Sequence, residues 1–129
     1  FGSKVIIPAD KLFVPDGTVV NPVGRALLAH VASAMKSVKG TVLVSVYTDN
    51  RAVDGRFAST YEFSLARARA ITQLLATQLA PGQSVKAEGR GDSNPLLPND
   101  SNENRARNRR VEITLFAAPE AAATPEGKR

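Results

Sequence analysis

Between Val42 and Leu79 the apolar period of the chain switches once, and that switch constrains the fold more than any other feature. Val42, Leu43, Val44 and Val46 form a short β-branched run after Gly40, which is a strand signal. Thr48, Asp49 and Asn50 end it, because their short polar side chains compete for nearby backbone donors. A loop follows through Ala52, Val53, Asp54 and Gly55, and Ser59 or Thr60 then caps a helix. Glu62 stands at the capping-box interval from Ser59. From Ser64 onward Leu65, Ala68, Ile71, Thr72, Leu75 and Leu79 share one stripe at three- and four-residue steps, and this stripe should face the sheet. Pro81 and Gly82 stop the helix.

Two charged positions in this unit have alternative readings. Asp49, at the mouth of the strand, is either a carboxylate that caps the turn or an anion presented to a ligand. Arg67 and Arg69 lie near opposite borders of the helical stripe, in the first turns, where a cation opposes the helix dipole. Each therefore either carries its charge out to water or faces an anion, supplied by Asp49 or by a ligand. On this reading both Asp49 and Arg67 sit at the rim of the core.

The remaining segments supply three more strands and two more helices. Val5, Ile6 and Ile7 form a first strand, which Lys11 to Val14 either continue after a bulge or leave for a loop. Pro15 to Thr18 are turn formers. A first helix should run from Pro22 to Lys36, capped by Asn21, with Val23, Ala26, Leu27, Val31, Ala34 and Met35 on its apolar side. Ser84 to Arg90 alternate as a half-buried strand, and Gly89 to Pro95 form a tight loop. A short helix is predicted from about Asn102 to Asn108, after caps at Asp100 to Asn102, and Val111, Ile113 and Leu115 alternate as the last strand. After Phe116 the run APEAAATPEGKR has too little apolar bulk to build a core and reads as a mobile tail, so the domain is expected over 1–116 and the tail over 117–129.

Four runs carry a family resemblance. YTDN at Tyr47 to Asn50, FSLARA at Phe63 to Ala68, GRGDSNP at Gly89 to Pro95 and NENRARNRRVEI at Asn102 to Ile113 occur in the order and spacing of the OmpA-like peptidoglycan-binding domain. That domain is shared by outer-membrane porins, the Pal lipoprotein and flagellar stator proteins. The resemblance spans about Asp10 to Phe116. Arg56, Phe57 and Ser59 are similar to the longer loop of stator subunits and of TssL-type (DotU-related) type VI secretion proteins.

The resemblance implies an α/β fold of β-α-β-α-β-β order. Its four-stranded mixed sheet is covered on one face by two long helices, with a short helix before the last strand. It also implies non-covalent binding of the diaminopimelate of a peptidoglycan stem peptide, with Asp49 meeting the ammonium and Arg67 the carboxylate. Thr48, Asn50, Arg105 and Arg109 are the further ligand-site residues it suggests. The arginines and asparagine of the RxxNRR run are expected to order the ligand loops through backbone carbonyls. The partners implied are peptidoglycan and other subunits of an envelope-spanning complex, with a second copy of the chain as a further candidate. The setting implied is the periplasm of a Gram-negative bacterium, with membrane attachment only through upstream segments. The start at Phe1, without Met, suits a fragment of a longer inner-membrane protein. The sequence departs from the family pattern at Tyr47, where His is commonest, at Thr60, where many relatives have Asn, and at Phe63, which replaces Leu. The exchange at Thr60 is expected to loosen the loop. A module that keeps the fold without the ligand is the alternative reading.

Other function classes fare worse. The chain of 129 residues has no cysteine and one histidine, His30, so neither a zinc cluster nor a serine-type triad can be assembled, and no cofactor is expected. Glycosidase chemistry needs two carboxylates flanking a sugar, roles for which Asp49 with Asp54 or Asp92 can be imagined, but the loops offer more arginine than acid. An enzyme is not expected. The net charge of +5 is concentrated at Arg105, Arg107, Arg109 and Arg110, but no aromatic platform accompanies it, which argues against nucleic acid.

Overall fold

The computed structural model describes residues 2–53 and 55–119. Strand β1 (Gly2–Pro8) is followed by a 3-10 turn at Ala9–Lys11, so Lys11 to Val14 leave the strand rather than extend it. Helix α1 (Pro22–Met35), β2 (Gly40–Tyr47), α2 (Thr60–Ala76), β3 (Gln83–Gly91), α3 (Asn102–Asn108) and β4 (Arg110–Ala117) complete the order predicted from sequence. The sheet runs β1-β4-β2-β3, antiparallel at β1–β4 and β4–β2 and parallel at β2–β3.

Strand periodicity sorts the sheet into a covered and an open face. Val85, Val42, Leu115 and Ser3 share one row, and Val44, Ile113 and Val5 the next. Val42, Val44 and Ile113 of these rows meet Leu28 and Ala32 of α1 and Ala68, Ile71 and Leu75 of α2 in the core, with Val85 and Leu115 partly buried against it, while Val5 at the β1 edge is exposed. The open face carries Lys4, Leu43, Ser45, Tyr47, Glu88, Arg90, Glu112 and Thr114. Its charges are paired locally, Glu112 with Lys4 at 3.1 Å and with Arg110 at 2.8 Å.

The helix starts follow their caps. The Asn21 side chain accepts from Gly24 N, and the Ser59 side chain accepts from Glu62 N, so Ser59 rather than Thr60 is the cap of α2. The buried side of α1 is Gly24, Leu28 and Ala32, while Val23 is 73% exposed. That is a correction to the expected stripe, which included Val23 and omitted Leu28. Helix α2 ends at Ala76, before the Pro81–Gly82 stop, and it turns Phe63, Ser64 and Arg67 inward along with the expected Ala68, Ile71 and Leu75.

Gly89 and Gly91 belong to β3 rather than to a loop, and both are sites of close approach by α2. A Cβ on Gly89 would meet Leu65 N at 2.6 Å and Tyr61 O at 2.7 Å, both helix backbone atoms. At Val46/Tyr47 the pairing with β3 slips by one residue, and Gly91 takes φ 56° there. Gly91 N donates to Ser64 Oγ at 2.9 Å and Gly91 O accepts from Thr48 N at 2.7 Å, which ties the exit of β2 to the first turns of α2. Strand β4 continues through Ala117, the first residue of the expected tail, and Ala118 N donates to Lys39 O. Residues 120–129 of that tail, Phe1 and Asp54 lie outside the described residues.

Candidate functional site

Where β2 ends and α2 begins, the loops enclose a groove of about 390 Å³ lined by Asp10, Asp16, Thr48, Asp49, Arg51, Phe63, Arg67 and Arg109 among others. Three carboxylates and three guanidiniums face one space.

Asp49 is held from several sides and its side chain is only 7% exposed. Its Oδ1 accepts from Arg51 N at 2.9 Å, the turn-capping bond expected of a short acid here. Its Oδ2 accepts from Arg109 Nη1 at 2.6 Å and from Arg51 Nε and Nη2 at 3.3 and 3.2 Å. Burial pushes its pKa up, but the Arg51 N–H and the Arg109 and Arg51 guanidiniums outweigh burial and hold it below the usual carboxylate range. Arg109 also grips Asp10 with Nε at 3.1 Å and Nη2 at 2.9 Å, so it bridges two acids from distant parts of the chain. Its bonds to Asp10, and then to Asp49, raise its pKa despite partial burial.

Arg67 is neither at the rim nor led out to water, which corrects the sequence reading. It is 3% exposed and lies between the rings of Phe13 and Phe63, 4.6 and 4.5 Å from their centroids. Its Nε donates to Gly17 O at 2.8 Å and its Nη2 to Val14 O at 3.2 Å. The rings and carbonyls supply what a buried cation near a helix start needs, namely negative π faces and fixed acceptors. Burial lowers its pKa to about 10, against the opposing fields of Asp10 and Asp16. Nη1 makes no hydrogen bond among the described residues, so one donor edge is left for the groove that Arg67 lines.

Of the residues expected at the site, Asp49, Arg67, Thr48 and Arg109 line this groove, whereas Asn50 and Arg105 do not. Asn50 is exposed on the loop. Arg105 turns to Asn99 O and Asn102 Oδ1. The run after Asn102 is mostly committed to holding loops. Asn108, fully buried, accepts from Leu96 N and Leu97 N and donates to Leu97 O and Asn99 Oδ1, and Arg110 Nη2 reaches Asn94 O. Little of the basic cluster is therefore an open cationic surface. Asp10 is a groove residue that the sequence reading passed over, while Pro15 and Asp16 come from the turn that the resemblance places beside the ligand. The available signal was an arginine-rich run with too few acids near it in sequence to partner it.

Asp92, weighed as a partner carboxylate for Asp49, accepts from Thr60 Oγ1 at 3.3 Å and is not part of the groove lining. Among the described residues no group of His, Cys, Asp and Glu is placed to hold a metal, and no helix is long and apolar enough to cross a membrane.

The groove thus presents both signs of charge to one space at the mouth of a mixed sheet. The chain belongs to the OmpA family, whose model matches residues 12–109. It is 33% identical to outer membrane protein A of Bordetella avium over 116 residues, 90% of this chain and 59% of that protein. It is 32% identical to the peptidoglycan-binding protein ArfA of Mycobacterium tuberculosis over 104 residues, 80% of this chain and 31% of that one. The chain thus spans 59% or less of the length of these two relatives. Among solved structures, the cell wall anchor of the type VI secretion system from Pseudomonas aeruginosa superposes with a TM-score of 0.80 at 41% identity, covering 91% of this chain and 82% of that one.

Proposed function

We propose that the groove binds the diaminopimelate head of a peptidoglycan stem peptide, non-covalently, and that this anchors an envelope complex of the type VI secretion class to the cell wall. Asp49 receives the ligand ammonium and Arg67 Nη1 its carboxylate. Arg109 fixes Asp49, and the module works in the periplasm of a Gram-negative bacterium as part of a TssL-type protein.

The observation that carries this reading is the opening of a buried carboxylate and of the spare edge of a buried guanidinium onto the same groove. A zwitterionic amino-acid head needs one fixed anion and one planar cation within a few ångströms of each other. The names of the M. tuberculosis relative and the P. aeruginosa structure point the same way. One observation favours the alternative, a structural module without the ligand: Asp49 already accepts from two guanidiniums in the free protein.

Co-sedimentation with insoluble peptidoglycan separates the two. The domain is expected to pellet with the wall, and free diaminopimelate-containing stem peptide should release it. Retention of all the protein in the supernatant at tens of micromolar would leave only the structural module.

A further inference from the structure

Resting on the stem-peptide reading of the groove, we propose that the Arg51 guanidinium is a displaceable stand-in for the ligand ammonium. It holds the cation position on Asp49 in the free protein and leaves when an amine-bearing head binds, so Arg51 sets how selectively the groove takes amines.

The two guanidiniums on Asp49 Oδ2 are not equivalent. Arg109 approaches to 2.6 Å, is anchored at its other edge by both oxygens of Asp10, and is 23% exposed. Its release would break three bonds, to two acids, at once. Arg51 contacts the same oxygen at 3.2 and 3.3 Å, pairs with no other acid among the described residues, and its side chain is 60% exposed. Only the arginine end of this pair is exposed, so water can take over the released guanidinium while Arg109 stays on the carboxylate.

Geometry lets the side chain leave alone. Arg51 N donates to Asp49 Oδ1, and this bond fixes the turn whatever the side chain does. An ammonium added beside both guanidiniums would meet two like charges across one buried oxygen, so binding proceeds by exchange with the weaker-held cation. A ligand without an amine gains nothing from Asp49 and leaves Arg51 in place.

The test titrates two probes into the parent domain, Arg51→Ala and Asp49→Ala by calorimetry. One probe is the diaminopimelate-containing stem peptide, and the other is the same peptide with its side-chain amine acetylated. Arg51→Ala keeps the backbone bond to Asp49 and should tighten the free-amine peptide about two- to fivefold, the value of a weakly held ion pair whose cation is exposed. The acetylated peptide should bind the parent and Arg51→Ala alike. Weaker binding of both peptides by Arg51→Ala would overturn the inference, since Arg51 would then be a direct ligand contact. So would unchanged affinity alongside a clear loss in Asp49→Ala, which would leave the stem-peptide reading standing. Failure of both the parent and Arg51→Ala to bind would remove that reading and the inference together.

Discussion

Arg67→Ala should unfold about 2–4 kcal/mol more readily than the parent in urea, as expected for emptying a buried site and orphaning two carbonyls. The guanidinium fills the space between Phe13 and Phe63 and ties the turn at Val14 and Gly17 to a helix 50 residues further on. Alanine leaves that space empty. Lysine keeps the charge but cannot bridge two carbonyls from one plane, so Arg67→Lys should recover only part of the loss. Arg67→Met refills the gap without charge and regains the packing part of the loss, while Val14 O and Gly17 O stay unpaired. It should therefore stay folded and lose the carboxylate grip. An unchanged urea midpoint in Arg67→Ala would show that the ring and carbonyl contacts do not hold the turn.

Asp49→Ala should weaken stem-peptide binding by about 2–4 kcal/mol, roughly thirtyfold to a thousandfold, because the ligand ammonium then enters a site whose nearest charge is Arg109. Its effect on folding should be smaller, since Arg109 keeps both bonds to Asp10 and Arg51 turns to water. The acid limb separates these roles. The Asp49 pKa is depressed below its ordinary value of 3.8 in the folded state. Its contribution to stability is therefore fully present above that value and is lost as the pH falls through the lower folded value. Urea midpoints of the parent and of Asp49→Asn should differ at neutral pH and converge as the pH drops below 3.8. A gap that persists into acid would mean that the carboxylate charge is not what Arg109 and the turn require.

What the sequence made legible was local. The cap at Asn21, the choice of Ser59 or Thr60 that the structure decides for Ser59, the strand ending at Thr48 and the helix that follows depend on neighbours within a few residues. The α1 stripe was right at Leu27, Val31 and Met35, which pack against the core, but VGRALLAHVA is apolar on most sides, and only packing against the sheet selects Leu28 over Val23. Arg67 could not be placed because its partners lie across long separations, with Phe13 and the 14–17 turn on a different loop. The link from Arg109 to Asp49 spans 60 residues and that to Asp10 spans 99, so neither leaves a periodic trace. Phe63, read as a departure from the family pattern, is the ring that closes one side of Arg67 and packs edge-on against Phe57 at 5.3 Å.

The claim that Arg67 holds the ligand carboxylate is tested most directly by exchanging the ligand rather than the protein alone. Lysine is diaminopimelate without the terminal carboxylate, so a stem peptide carrying lysine keeps the amine for Asp49 and offers nothing to Arg67 Nη1. Calorimetric titration of both peptides into the parent and into Arg67→Met gives a four-way comparison. The parent should prefer the diaminopimelate peptide by about tenfold or more, the value of one charge-assisted contact. In Arg67→Met that preference should vanish, with both peptides binding alike. A variant that stays folded and still prefers diaminopimelate would contradict the account, because the carboxylate would then be read by some other group.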